Sequence, residues 1–95
     1  MDKFEYTFNN GLHFTCTLGE DGYTVNMNGG NLEQPMMGTF TSFEELLKSI
    51  APIVHDNAQD VFDFSIFSSA LWTNFSKSTT VTFEEASDIL IRNRS

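Results

Sequence analysis

The chain has 95 residues and a mass of 10.7 kDa, which is enough for one domain with its own core and too little for two. Its single cysteine, Cys16, excludes an internal disulfide framework and a cysteine-rich zinc module. Thirteen acidic residues against five basic ones give a formal net charge of -8, which argues against direct binding to a nucleic-acid backbone. We therefore expect a single acidic globular domain over residues 1–95.

Residues 4–27 alternate between apolar and polar side chains, the pattern of half-buried β-strands. A three-residue loop at 9–11 pairs Tyr6 with Phe14, whereas a two-residue turn would split the apolar set between the two faces. A loop at 19–22 then pairs Cys16 with Val25. Both turns predict a three-stranded antiparallel meander with one apolar face. Residues 36–40 could add a short fourth strand.

Two helices are predicted by a repeated capping box, in which Ser42 or Thr82 precedes Phe-Glu-Glu. The first helix places Phe43, Leu46, Leu47 and Ile50 on one face, and Pro52 ends or kinks it near Ile50. The second runs toward Arg92 and Arg94, cations that suit a helix C-terminus.

Residues 57–75 are compatible with two interpretations. Phe62, Phe64 and Ile66 alternate as in a strand, while Phe64, Phe67, Leu71 and Phe75 form a helical stripe. The length favours a helix, which Asp56 and Gln59 would cap. The predicted fold is α+β: an N-terminal three- to four-stranded antiparallel meander, covered on one face by two or three C-terminal helices.

No apolar run approaches the length that spans a bilayer, and the N-terminal residues lack the pattern of a secretory signal. We therefore expect a cytoplasmic protein with no membrane partner.

The best cluster of metal-ligating residue types is His55, Asp56, Asp60 and Asp63. Its acids equally suit a solvated helix N-terminus, and no second ligand set accompanies them, so we do not assign a metal site. Cys16 lies three positions from His13 on a strand, so the two side chains point to opposite faces and cannot form a nucleophile–base pair. We expect no cofactor and no enzymatic activity.

Charge is the remaining signal, because no basic residue lies between Lys3 and Lys48. The candidate contact residues for a basic partner are the acids of that stretch and one aromatic residue at the margin of the helical stripe: Glu20, Asp21, Glu33, Glu44, Glu45 and Trp72.

These features favour a non-enzymatic interaction protein that docks on a basic protein surface, with carboxylates standing where phosphates would stand. Small phage inhibitors of host nucleases, including some anti-CRISPR proteins, use this nucleic-acid mimicry, and the analogy is one of class alone. The alternatives are a small-ligand binder or homo-oligomeric accessory subunit, built on ten Phe and four Met, and a metal-assisted enzyme.

Overall fold

The computed structural model describes residues 2–93. The chain order is β1 (Asp2–Thr7), β2 (His13–Gly19), β3 (Gly22–Asn28), β4 (Met36–Phe40), α1 (Phe43–Asn57), α2 (Val61–Phe75) and α3 (Phe83–Arg92), with a short 3-10 turn at Ser76–Ser78. The four strands form one antiparallel sheet in the order β1-β2-β3-β4. The predicted α+β arrangement of a meander followed by helices is confirmed.

The strand register is the one that the buried face requires. Tyr6 pairs with Phe14 across β1 and β2, and Cys16 pairs with Val25 across β2 and β3. Gly11 closes the first loop with φ +93°, a left-handed conformation that a residue with a Cβ adopts only with strain. The fourth strand also forms, with Met36 opposite Met27 at its start.

The helices cover the inner face of the sheet. α2 packs on β1, α1 packs on β4, and α3 packs on α1 and α2. Phe67 of α2 is fully buried, with its ring centroid 4.8–6.1 Å from those of Phe4, Tyr6, Phe8 and Phe14. Six of the ten phenylalanines are buried, so the aromatic content is used largely in the core.

α1 is longer than its sequence predicts. It continues through Pro52 to Asn57, so of the two predicted effects of Pro52, an end or a kink near Ile50, the end is wrong. Proline removes one helical hydrogen bond and costs about 3 kcal/mol. The last two turns bury Ala51, Val54 and Asn57, and this burial compensates for the lost bond.

The helical interpretation of the next segment is correct, but its predicted start is wrong. Asn57 belongs to α1, and α2 begins at Val61 with Asp60 as its N-cap, accepting from the Asp63 backbone N–H at 2.7 Å. Asp56 and Gln59 therefore do not cap it. Asp60 is the better cap because its backbone is extended and its carboxylate reaches an amide that has no helical partner.

The two predicted capping boxes differ in outcome. At α3 both halves are present, with Thr82 Oγ1 accepting from Glu85 N–H and Glu85 Oε1 accepting from Thr82 N–H. At α1 Ser42 caps the Glu45 N–H, but the Glu45 carboxylate accepts from the Thr41 hydroxyl instead. Arg94 lies outside the described residues. Within residues 2–93, no helix combines the length and the apolar character needed to cross a membrane.

Candidate functional site

Five carboxylates line concavities where the β2–β3 turn and the N-termini of α1 and α3 meet, and a sixth, Glu45, follows one of them in the first turn of α1. One shallow concavity is lined by Glu20, Asp21, Ser42, Thr79 and Thr80, and a neighbouring one by Ser42, Glu44, Thr79, Thr80 and Glu85. The two concavities share Ser42 and the threonines, so acids from three elements surround one uncharged segment. We call this surface the acidic end and define it as Glu20, Asp21, Glu44, Glu45, Glu84 and Glu85.

Local structure explains why the acids lie there. Glu20 and Asp21 form the tip of the β2–β3 turn, where Gly19 pairs with Gly22. Tyr23 at the start of β3 pairs with Phe40 at the end of β4, so the start of α1 lies at the same end of the sheet as the β2–β3 turn. Acidic residues favour the first turn of a helix because its amide groups carry partial positive charge. Glu44 and Glu84 occupy this position in α1 and α3.

The field of the acidic end is little compensated. Among residues 2–93, Glu20, Asp21 and Glu84 form no ion pair. Glu44 lies 3.9 Å from Lys48, with both side chains more than half exposed, so the pair contributes little. The next cations along the chain are Lys77, in the 3-10 turn, and Arg92, which pairs with Asp88.

Glu85 is held in its charged form. The hydrogen bond from the Thr82 backbone N–H lowers the pKa of Glu85, and the Thr82 hydroxyl acts in the same direction. The acidic end therefore retains this charge on moderate acidification.

The structure separates Glu33 from the other candidate contact residues, whereas Trp72 lines a concavity with Thr79, Thr80 and Glu84 beside the acidic end. Glu33 is exposed in the β3–β4 loop, which lies at the opposite end of the strands from the β2–β3 turn. Trp72 is half-buried, and its Nε1–H donates to the Val81 carbonyl oxygen at 2.8 Å. Its ring packs edge to face on Phe83, so Trp72 fixes the segment before α3 at the edge of the core.

The metal candidates are also separated. Asp56 lies in the last turn of α1, Asp60 caps α2 and Asp63 lies in its first turn, so the spacing of four and three residues between these acids does not place them on one helix face. His55 stacks on Phe64, and its Nε2 lies 2.6 Å from the Leu90 carbonyl oxygen. Within the part of the chain that the structure describes, no group of three or more His, Cys, Asp or Glu side chains is placed to hold a metal ion.

Asp63 has a structural position instead. Only 2% of it is exposed, and its carboxylate accepts from the Tyr6 hydroxyl at 2.6 Å and from the Asn9 N–H at 3.0 Å. It ties the start of α2 to the β1–β2 hairpin. The interpretation of this acid as part of a solvated helix end is therefore wrong.

Sequence reasoning assigned Glu84 and Glu85 to capping and did not include them among the contact residues. The sequence signal that could have found them is the repeated capping box, which places two acids at the start of α3 as it does at the start of α1. No protein-family model matches the sequence, and comparisons with curated proteins and with solved structures give no significant match.

Proposed function

We propose that this chain is a non-enzymatic interaction protein that binds through its acidic end to a basic surface of another protein and blocks that surface. The observation that carries the proposal is the convergence of carboxylates from three elements around the uncharged Thr79 and Thr80. A scattered distribution of the same acids would serve solubility alone.

The chemistry of such a surface matches a partner rich in Lys and Arg. Carboxylates accept the same charge-assisted hydrogen bonds from Lys and Arg as phosphate oxygens do. An uncompensated anionic patch also accelerates encounter with a cationic partner and repels polyanions. The partner surface that fits best is therefore one that itself binds nucleic acid, and the chain would act as a phosphate mimic and inhibitor of that protein.

The proposal is tested by charge reversal at the acidic end with a matched control. Glu20→Lys with Glu84→Lys changes two acids on different elements and avoids the residues that form the α3 capping box. Glu33→Lys with Asp56→Lys changes net charge equally at exposed positions away from that end. The immobilised wild type and both variants are used to capture proteins from a lysate of the encoding organism, with quantification by mass spectrometry.

We expect a specific basic protein to be captured by the wild type and by the control, and its affinity for the acidic-end variant to fall about tenfold or more. Raising the sodium chloride concentration should weaken the wild-type complex, and duplex DNA should compete for the partner. Equal capture by all three proteins would refute the proposal. Capture that duplex DNA does not reduce would retain the acidic contact but reject nucleic-acid mimicry.

A further inference from the structure

The outer face of α2 carries no charge, and it exposes apolar side chains in its first two turns, whereas Ser69, Thr73 and Asn74 are exposed further along the helix. The sequence has no charged residue between Phe64 and Ser76, and the one acid of the helix, Asp63, is buried. Val61, Phe62 and Ile66 are nevertheless 77%, 79% and 56% exposed. A helix that is apolar on both sides is typically covered on both sides.

A groove lies beside this exposed ridge. It runs between α2 and α3 at the end of α1, has a volume of about 520 Å³ and is lined in part by Val61, Phe64, Ser68, Phe83 and Ile91. Val61 belongs to the exposed ridge and also lines the groove, so the two adjoin at this residue, while Phe62 and Ile66 lie about 100–140° round the helix from it, on the side away from Phe64 and Ser68. His55 and Asp60 are its titratable groups. We call ridge and groove together the α2 face.

We propose that the α2 face is the interface of a homodimer, in which the Phe62 ring of each copy enters the groove of the other. A ridge and a groove side by side on one surface are self-complementary under a two-fold axis, which is the requirement for an isologous interface. The groove volume lies in the range that accommodates an aromatic side chain.

Charge does not oppose a second copy at this face, and it disfavours anionic lipid and strongly cationic partners there. Two chains of net charge -8 repel each other wherever their carboxylates meet, and the α2 face has almost none. The same net charge opposes adsorption to anionic lipid. A partner recruited by the acidic end would be cationic, and this face offers cations little to bind.

The available area is sufficient for a dimer. The exposed parts of Val61, Phe62, Ile66 and Phe83 amount to roughly 500 Å² per copy, taking 150–250 Å² for a large apolar residue. Two copies would bury about 1,000 Å² from these side chains alone, which reaches the lower bound for a specific interface. An exposed apolar patch of this size on one copy is itself typical of an interaction site.

The test is sedimentation equilibrium of the full chain over a wide concentration range. Phe62→Asp is compared with Met37→Asp, which puts the same acid at an equally exposed apolar position (77% against 79%) on β4. Circular dichroism and the denaturant midpoint verify that both variants fold. We expect a dimer for the wild type and for Met37→Asp. The dissociation constant of Phe62→Asp should rise at least about a hundredfold, because an isologous interface contains the substitution twice.

The salt dependence of dimerisation is a second readout, and its sign is opposite to that expected for partner binding by the acidic end. Sodium chloride screens the repulsion between two anionic copies, so the dimer should tighten as salt increases. The proposal is overturned if the wild type is monomeric at every concentration, whatever other partner covers the face. It is equally overturned if Phe62→Asp dimerises like the control.

Discussion

The buried carboxylate of Asp63 provides the sharpest test of how the helical layer is attached to the sheet. We consider Asp63→Asn, which keeps the size of the side chain and replaces one acceptor oxygen by an NH₂ donor. Both carboxylate oxygens already accept hydrogen bonds, from Tyr6 Oη at 2.6 Å and from the Asn9 N–H at 3.0 Å. In the variant the NH₂ group faces either the Asn9 N–H, donor to donor, or Tyr6 Oη, which can accept from it only by turning its own hydrogen away from this bond.

The magnitude follows from two terms. A hydrogen bond to a charged group contributes about 1.5–3 kcal/mol, and leaving a buried donor unsatisfied costs about 1–3 kcal/mol. Because the two terms overlap, we expect Asp63→Asn to lower the free energy of unfolding by about 2–4 kcal/mol. A 95-residue domain has about 5–15 kcal/mol in total, so the variant should fold and be measurable.

Urea unfolding monitored by circular dichroism measures the effect, with Asp60→Asn as the matched control. Asp60 is exposed and caps α2, and Asn caps a helix as well as Asp does, so the control should change stability by less than about 0.5 kcal/mol.

A double-mutant cycle with Tyr6→Phe isolates the shared bond. The Tyr6 hydroxyl has no role in the Asn9 contact, so the coupling free energy should be about 1–2 kcal/mol. The reasoning fails if Asp63→Asn is no more destabilising than Asp60→Asn, or if the effects of Asp63→Asn and Tyr6→Phe simply add.

Three further predictions follow from the core and the loops. Burial raises the pKa of the Cys16 thiol from 9.0 to about 12, so in the native protein it should not react with a thiol reagent at pH 8, and should react once the chain is unfolded. Burial and, next, the hydrogen bond to Asp63 raise the pKa of Tyr6 to about 12. Because the Cys16 thiol and the Tyr6 phenol both have a higher pKa in the folded chain than in the unfolded one, the stability present below pH 9 should fall as the pH rises toward 12, by at most about 1.4 kcal/mol per pH unit for each group. The fall should be less steep in a Cys16→Ala, Tyr6→Phe variant. Gly30→Ala should lower the free energy of unfolding by at least about 1 kcal/mol more than Gly11→Ala. Both glycines have positive φ, but of the two only Gly30 has other atoms where a Cβ would lie, the nearest being Asn57 Oδ1 at 2.5 Å. Equal urea midpoints for the two variants would contradict this.

The sheet could be predicted from the sequence because its constraints are local. Period-two alternation fixes which side chains face inward, and the positions of the loops then allow one register that keeps Phe14 and Cys16 on the same face. Capping residues likewise mark the starts of α1 and α3. These signals act between neighbours in the chain, so no tertiary information is needed to read them.

The helix boundaries around residues 50–60 depend on contacts between distant parts of the chain. Asn57 Oδ1 accepts from Asn10 Nδ2 at 2.9 Å and from the Asn31 N–H at 2.8 Å, which anchors the end of α1 to two loops of the sheet. From the local sequence alone, Pro52 indicates that the helix ends. Only the folded structure supplies the amide partners that make the longer helix stable.

The candidate site shows the same division. The composition shows the excess of acids but not their grouping, because Glu20 and Glu84 are distant in sequence and border the same two threonines only in the folded chain. The separation of Glu33 follows from the same topology. Likewise, an apolar stripe on α2 indicates burial without telling how many sides of the helix are covered.

The two proposed surfaces lie at opposite ends of α2 but adjoin at the start of α3, where Phe83 of the α2 face precedes Glu84 of the acidic end. The exposed apolar residues lie in the first turns of α2, whereas its last turn leads into the 3-10 turn beside the acidic end. A helix of 15 residues is about 22 Å long, more than twice the screening length of about 8 Å at physiological salt. A homodimer through the α2 face would therefore leave Glu20, Asp21 and Glu44 of both copies available.

Such a dimer would present two acidic ends, which changes what each variant should do to partner binding. A partner with two basic sites would gain affinity by avidity, since its second contact becomes intramolecular. Phe62→Asp should then weaken capture of that partner without abolishing it, because each monomer retains one complete acidic end. Glu20→Lys with Glu84→Lys should remove binding to monomer and dimer alike. Loss of all capture in Phe62→Asp would instead place the α2 face in direct contact with the partner.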